Sequence, residues 1–165
     1  MTKSLKEILT LGEIVRLAHK KTEPAIWDYV IGGSETETTL RRNRKALDEV
    51  AFRPRVLRNV NEIDASREVL GIPLRIPLFL APMGSLQEID EAGAVAPAQA
   101  AKEFGIMSFL SSVCHPGMEA TMKGGGGNLI FQLYVRGDGH WVMDHLAEAM
   151  ELGYKAFCLT VDTAM

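Results

Sequence analysis

The chain has 165 residues, 47% of them hydrophobic, which is enough to bury a core, and its net charge of −3 comes from 18 basic and 21 acidic residues interleaved along its length. That balance offers no broad basic surface to a nucleic-acid backbone, and no stretch approaches the roughly 18 apolar residues of a membrane span or the apolar core of a secretory signal. With Cys114 and Cys158 as the only cysteines and no Cys-x-x-Cys pair, the expectation is two reduced thiols in a cytoplasmic protein.

In chain order, Ile8, Leu11, Ile14, Val15 and Leu17 recur at near-helical spacing, and Ala25, Ile26, Tyr29 and Val30 do so again. After the Gly32-Gly33 break, Ser34 and Glu37 predict a capping box that opens a helix through about Asp48. The basic run Arg41, Arg42, Arg44 and Lys45 falls in that helix and reads as a solvated face. Phe52-Arg53-Pro54-Arg55-Val56-Leu57 is expected to be extended, because Pro54 disfavours helix for the residue before it. Residues 1–75 are thus expected to form a helical cap.

From Ile76 to the last residue, 165, the character changes. Short apolar runs at Leu78 to Ala81, Ile106 to Leu110, Leu129 to Val135 and Ala156 to Val161 read as strands. Helices are expected around Ala94 to Phe104, near Gly117 to Met122, and over the amphipathic stretch carrying Met143, Leu146, Ala147 and Met150. Pro97 requires the first of these to begin near it or to kink there. Alternating strand and helix predicts parallel strands with crossover helices, in an open doubly wound sheet or a (β/α)8 barrel.

Polar residues gather where these strands end. The first runs into Ala81-Pro82-Met83-Gly84-Ser85, the second into Ser111-Ser112, the third carries Gln132 and Tyr134, and the fourth ends Thr160-Val161-Asp162-Thr163. In parallel α/β folds the carboxyl ends of the strands form the ligand face. A period of two puts Gln132 and Tyr134 on one side of their strand, and Thr160 and Asp162 on one side of theirs. An amide, a phenol, a hydroxyl and a carboxylate on one rim can bind the carbonyls and nitrogens of a heteroaromatic ring and still leave a carboxylate to orient a base. Gly84 is expected to let such a ring approach the backbone closely.

Trp27-Asp28-Tyr29, Gly33, Leu40, Asn43-Arg44, Phe52 to Leu57, Ala81-Pro82, Leu110-Ser111-Ser112, Phe131-Gln132-Leu133-Tyr134 and Leu159 to Thr163 resemble, in order and spacing, the FMN-dependent α-hydroxy-acid dehydrogenases and oxidases. The resemblance implies a (β/α)8 TIM barrel holding FMN and oxidising a small L-2-hydroxy acid of the glycolate or lactate kind to the 2-oxo acid. It implies flavin contacts from Pro82, Met83, Gly84, Ser111, Gln132, Tyr134 and Thr160. Tyr29 and Tyr134 match residues that face the substrate, and Asp162 matches the carboxylate that pairs with the catalytic histidine, so the catalytic residues expected here are Asp162 and Tyr134. Met83 stands where many relatives have a small hydroxyl residue, and Ala164 where plant relatives have proline.

The family's histidine base, its substrate-binding arginines, its flavin N1 lysine and its phosphate-binding strands match no residue here. A full barrel takes about 250 residues, so this chain is expected to supply the cap and about the first four β/α units, and to be inactive by itself. A homo-oligomer is expected of the full-length protein. His19 and His115 fall in the cap and a loop, and His140 and His145 are spaced so that they share no helix face, so no metal site is expected. Gly124 to Gly127 lacks the Lys-Ser or Lys-Thr of a phosphate loop and reads as a flexible connection, and Trp27 and Trp141 read as packing residues. Two other readings stand beside the oxidoreductase: a noncatalytic module needing a partner to cover its strand edges, and an FMN-dependent isomerase, against which Tyr29 and Arg53-Pro54-Arg55 argue.

Overall fold

The computed structural model describes residues 7–162. These divide into two compact units, one ending at Val60 and the other beginning at Asn61.

The first unit contains α1 (Leu11–Lys21), α2 (Pro24–Ile31) and α3 (Thr38–Asp48). A reciprocal capping box opens α1: Thr10 Oγ1 accepts from the Glu13 amide at 3.3 Å, and Glu13 Oε2 accepts from the Thr10 amide at 3.2 Å. Pro24 starts α2 at the position where a missing N–H costs nothing, and Trp27 stacks on His19 with ring centroids 4.6 Å apart. The capping box expected at Ser34 does not form. Glu37 itself flanks α3 in a left-handed conformation, its carboxylate accepting from the Gly33 amide at 3.2 Å, so the helix starts at Thr38. The basic run is exposed as expected, with Arg44 and Lys45 paired one turn on to Asp48 and Glu49. Phe52 to Leu57 joins no strand, and the backbone turns left-handed at Leu57.

The second unit opens with a hairpin that the sequence reading did not anticipate. β1 (Arg67–Val69) and β2 (Ile72–Leu74) pair antiparallel around Leu70-Gly71, both residues having positive φ, as a two-residue primed turn requires. The boundary expected at residue 75 and the compact division after Val60 differ by this hairpin, which packs with the second unit through Ile72 and Leu74.

β3 (Phe79–Leu80), β4 (Met107–Ser111), β5 (Asn128–Tyr134) and β6 (Ala156–Thr160) then form one parallel sheet in sequential order. The crossovers are α4 (Val95–Phe104), α5 (Met118–Gly124) and α6 (Gly139–Glu151). Pro97 sits in the first turn of α4, where its absent N–H has no helical partner to lose. Alternation splits the core in two. Leu110, Leu129, Phe131 and Leu133 pack under the helices with Ala98 and Ala149, while Met107 and Ile130 face the other way and are covered by Ile72 and Leu74 of the hairpin.

The glycine run is a packing device instead of a flexible connection. A Cβ on Gly125 would overlap that of Ala98, and one on Gly127 would come within 2.9 Å of Lys102 Cβ, so α4 lies directly on the turn leading into β5.

Buried Tyr154 donates its hydroxyl to the Met118 carbonyl at 2.9 Å, tying the turn before β6 to α5. Burial, followed by the charge of Glu148, pushes its phenol above the ordinary value. The unfolded chain therefore loses this proton first, at about pH 10, while the folded chain keeps it. Stability is expected to be unaffected by this group below about pH 10 and to fall above it. Tyr154→Phe should cost about 1 kcal/mol at neutral pH and flatten the alkaline decline, as read from urea midpoints across pH; an unchanged alkaline slope would remove Tyr154 as its source.

Candidate active site

The parallel ladder brings four of the nine expected residues to one face. Ser111 lies in register with Gln132, and Tyr134 with Thr160. By alternation all four share the side of the sheet that also carries Met107, Ile130 and Cys158, away from the helices and above the apolar floor closed by the hairpin. Ser111 and Gln132 are buried, Tyr134 and Thr160 half-buried. The Gln132 amide reaches across to β6, where Nε2 donates to Thr160 Oγ1, and its Oε1 is buried without any partner.

An amide has two donors and one acceptor oxygen, and its orientation follows from its neighbours. Turned either way, one polar end of Gln132 meets Thr160 and the other is buried without a partner. An unmet buried polar group costs about 1–3 kcal/mol, and a ligand bearing a hydrogen-bonding group would remove that cost. FMN fits that description, because its ring edge carries both donors and acceptors. Ser111 adds a hydroxyl whose oxygen accepts from the Val113 amide at 3.4 Å, and which keeps its own hydrogen to donate.

At the end of β3, Pro82 and Met83 are exposed and Gly84 is half-buried. Gly84 allows a close approach, but a different one from that expected: a Cβ there would stand 2.8 Å from Val113 Cγ2, so the neighbour it accommodates is the loop after β4. The Ser85 amide donates to the Val113 carbonyl at 3.1 Å, the Ala94 amide donates to the His115 carbonyl at 2.9 Å, and the Gln87 side-chain oxygen accepts from the His115 amide at 3.1 Å. These bonds tie the Pro82 turn to the loop leaving β4. Sequence reasoning missed Gln87, because the value of a lone glutamine in a loop depends on a partner 28 positions away.

The two carboxylate and phenol outliers behave differently. Asp162 lies past the end of β6, exposed, with no hydrogen bond or ion pair among the described residues, so the sheet does not gather it with Gln132 and Thr160. Tyr29 is on α2 of the first unit and is exposed. Ser112, unassigned from sequence, accepts from the Tyr134 amide at 3.1 Å and donates its own amide to the Gln132 carbonyl at 2.8 Å, extending the ladder where β4 stops.

Over residues 18–165 the chain matches the family described as FMN-dependent dehydrogenase. It is 36% identical over 157 residues to glycolate oxidase 3 of Arabidopsis thaliana, covering 95% of this chain and 43% of that protein. To glycolate oxidase 1 of Oryza sativa subsp. japonica it is 38% identical over 157 residues, covering 95% and 42%. Among solved structures, a soluble mutant of the membrane-associated (S)-mandelate dehydrogenase from Pseudomonas putida superposes with a TM-score of 0.89 at 30% identity, covering 96% of this chain and 45% of the other. A mandelate oxidase with (S)-2-phenylpropionate gives a TM-score of 0.90 at 28% identity, covering 96% and 47%. The chain therefore spans less than half the length of the relatives it matches. No helix among the described residues is long and apolar enough to cross a membrane.

Proposed function

The chain belongs to the FMN-dependent dehydrogenase family, and on that footing we propose that it is the amino-terminal part of a flavoprotein that oxidises a small L-2-hydroxy acid to the 2-oxo acid. One observation carries the reading: on the carboxyl ends of a parallel sheet, a buried amide bonded to Thr160 has a second polar end with nothing to meet. We assign Gln132, Ser111, Thr160, Tyr134 and the Pro82-Met83-Gly84 turn to holding FMN. When bound, FMN supplies the acceptor for the two electrons that leave the substrate's α-carbon.

The chain's own residues then divide the remaining work. Tyr134, half-buried beside Thr160, orients the substrate hydroxyl and carboxylate with its phenol. The exposed Asp162 is assigned to pair with a histidine base, its charge favouring the protonated imidazole as the base takes the hydroxyl proton. That base matches none of these 165 residues. The apolar floor under Ser111 and Gln132 keeps water from below, which strengthens each hydrogen bond above it. The two free thiols support the reading of a cytosolic protein.

A second reading draws on the sheet order: β3 and β6 each have a single neighbour, so two strand edges invite a partner, as a noncatalytic module requires. One experiment separates the two. The 165-residue chain is produced alone and joined to the complementary half of a glycolate oxidase, and each is mixed anaerobically with glycolate, L-lactate or (S)-mandelate. The joined protein should be yellow and bleached by at least one acid, and the chain alone should bleach with none. A folded but colourless joined protein sinks the flavin assignment; a yellow one that no hydroxy acid bleaches sinks the substrate class.

A further inference from the structure

A cavity of about 280 Å³ lies where β4 and β5 end beside α5 and α6. Its apolar floor is Leu110, Phe131 and Leu133, which belong to the cluster under the helices, on the opposite side of the sheet from Gln132. Trp141 forms a wall, with the His145 ring against it at 4.0 Å between centroids. His145 Nδ1 stands 2.8 Å from the Trp141 carbonyl oxygen. Because a carbonyl only accepts, that nitrogen carries the proton, so the ring is fixed in place as part of the wall.

The polar groups of the cavity are unbalanced towards donors. Ser112 Oγ is occupied as an acceptor from the Tyr134 amide at 3.1 Å, which leaves its hydroxyl hydrogen free to donate. Arg136 makes no ion pair among the described residues. The nearest acid in sequence, Asp138, is engaged elsewhere: its carboxylate caps α6 by accepting from the Trp141 amide at 3.0 Å. A hydroxyl whose hydrogen is free to donate and the unpaired guanidinium of exposed Arg136, beside an apolar trough with an indole wall, are complementary to a flat apolar body ending in an oxyanion.

We propose that this cavity is a second binding site, for a small carboxylic acid with a flat apolar body. Arg136 and Ser112 hold the carboxylate, and Leu110, Leu133 and Trp141 hold the body. Every wall comes from the second compact unit, so the site needs no other part of the chain. Ser111 and Tyr134, assigned above to the flavin face, also line it, whereas Gln132 and Thr160 do not.

The test is a titration of the 165-residue chain with sodium benzoate, and in parallel with neutral benzamide, following the Trp141 indole N–H resonance assigned by Trp141→Phe. Saturable benzoate binding is expected, with benzamide at least tenfold weaker. Arg136→Gln should weaken benzoate at least tenfold, Arg136→Lys less than that, and Ser112→Ala at least threefold. Gln132→Met should leave benzoate binding unchanged, which separates this site from the flavin face. Equal binding of benzamide, indifference to Arg136→Gln, no saturable shift at Trp141, or loss of the shift in Gln132→Met would each overturn the proposal.

Discussion

Gln132→Met is expected to lower FMN affinity of the completed barrel by about ten- to a hundredfold, while leaving the flavin-free protein as stable as before or more so. The opposite signs come from one group. In the flavin-free chain the buried Oε1 has no partner, so a side chain of similar length without polar atoms removes a desolvation cost of about 1–3 kcal/mol. Against that stands only the loss of the bond to Thr160, whose hydroxyl is half-buried and can be met by water. With FMN in place the balance reverses, because the flavin then has a polar group facing a thioether. Flavin fluorescence titration and urea midpoints of the same preparations give both numbers. A variant that loses stability without losing flavin would mean that Gln132 is only a structural link between β5 and β6.

Gly93→Ala is expected to destabilise the fold by about 3 kcal/mol, a large part of the 5–15 kcal/mol typical of a domain. Two effects add at this position. Its φ of +51 is costly for any residue with a Cβ, and the added methyl would overlap the His115 carbonyl oxygen, a backbone atom that cannot swing aside. That carbonyl also accepts from the Ala94 amide, so relief by movement breaks the link between the loops that follow β3 and β4. Gly139→Ala is the control: no atom lies within 4 Å of a Cβ there, and a change within about 0.5 kcal/mol is expected. Denaturant midpoints at unchanged slope measure both. A Gly93→Ala loss below about 1 kcal/mol would show that the two loops are not held as rigidly as the contact implies.

From β3 onward, strand and helix positions were legible because each is a local pattern. The apolar runs that became β4, β5 and β6 are short, and turn signals bound them. Features that depend on distant partners escaped. The Ser-x-x-Glu pattern at Ser34 and the Thr-x-x-Glu pattern at Thr10 look alike in sequence, yet only Thr10 caps a helix, because Glu37 turns left-handed and bonds Gly33 instead. The glycines at 124–127 read as slack, when their missing side chains are the room into which α4 packs.

The candidate site divides in the same way. Residue type and period two put Gln132 with Tyr134 and Thr160 with Asp162, because alternation assigns sides within a strand; the first pair and Thr160 do meet on one face, but Asp162 lies past the end of β6, where alternation no longer applies. Register did the rest: pairing Ser111 with Gln132 and Tyr134 with Thr160 across three strands brings one amide end of Gln132 to Thr160 and leaves the other without a partner. Sequence fixes what each residue can donate or accept. Only the folded chain decides which of those capacities are already used, and what is left over depends on neighbours tens of positions away that no local pattern encodes.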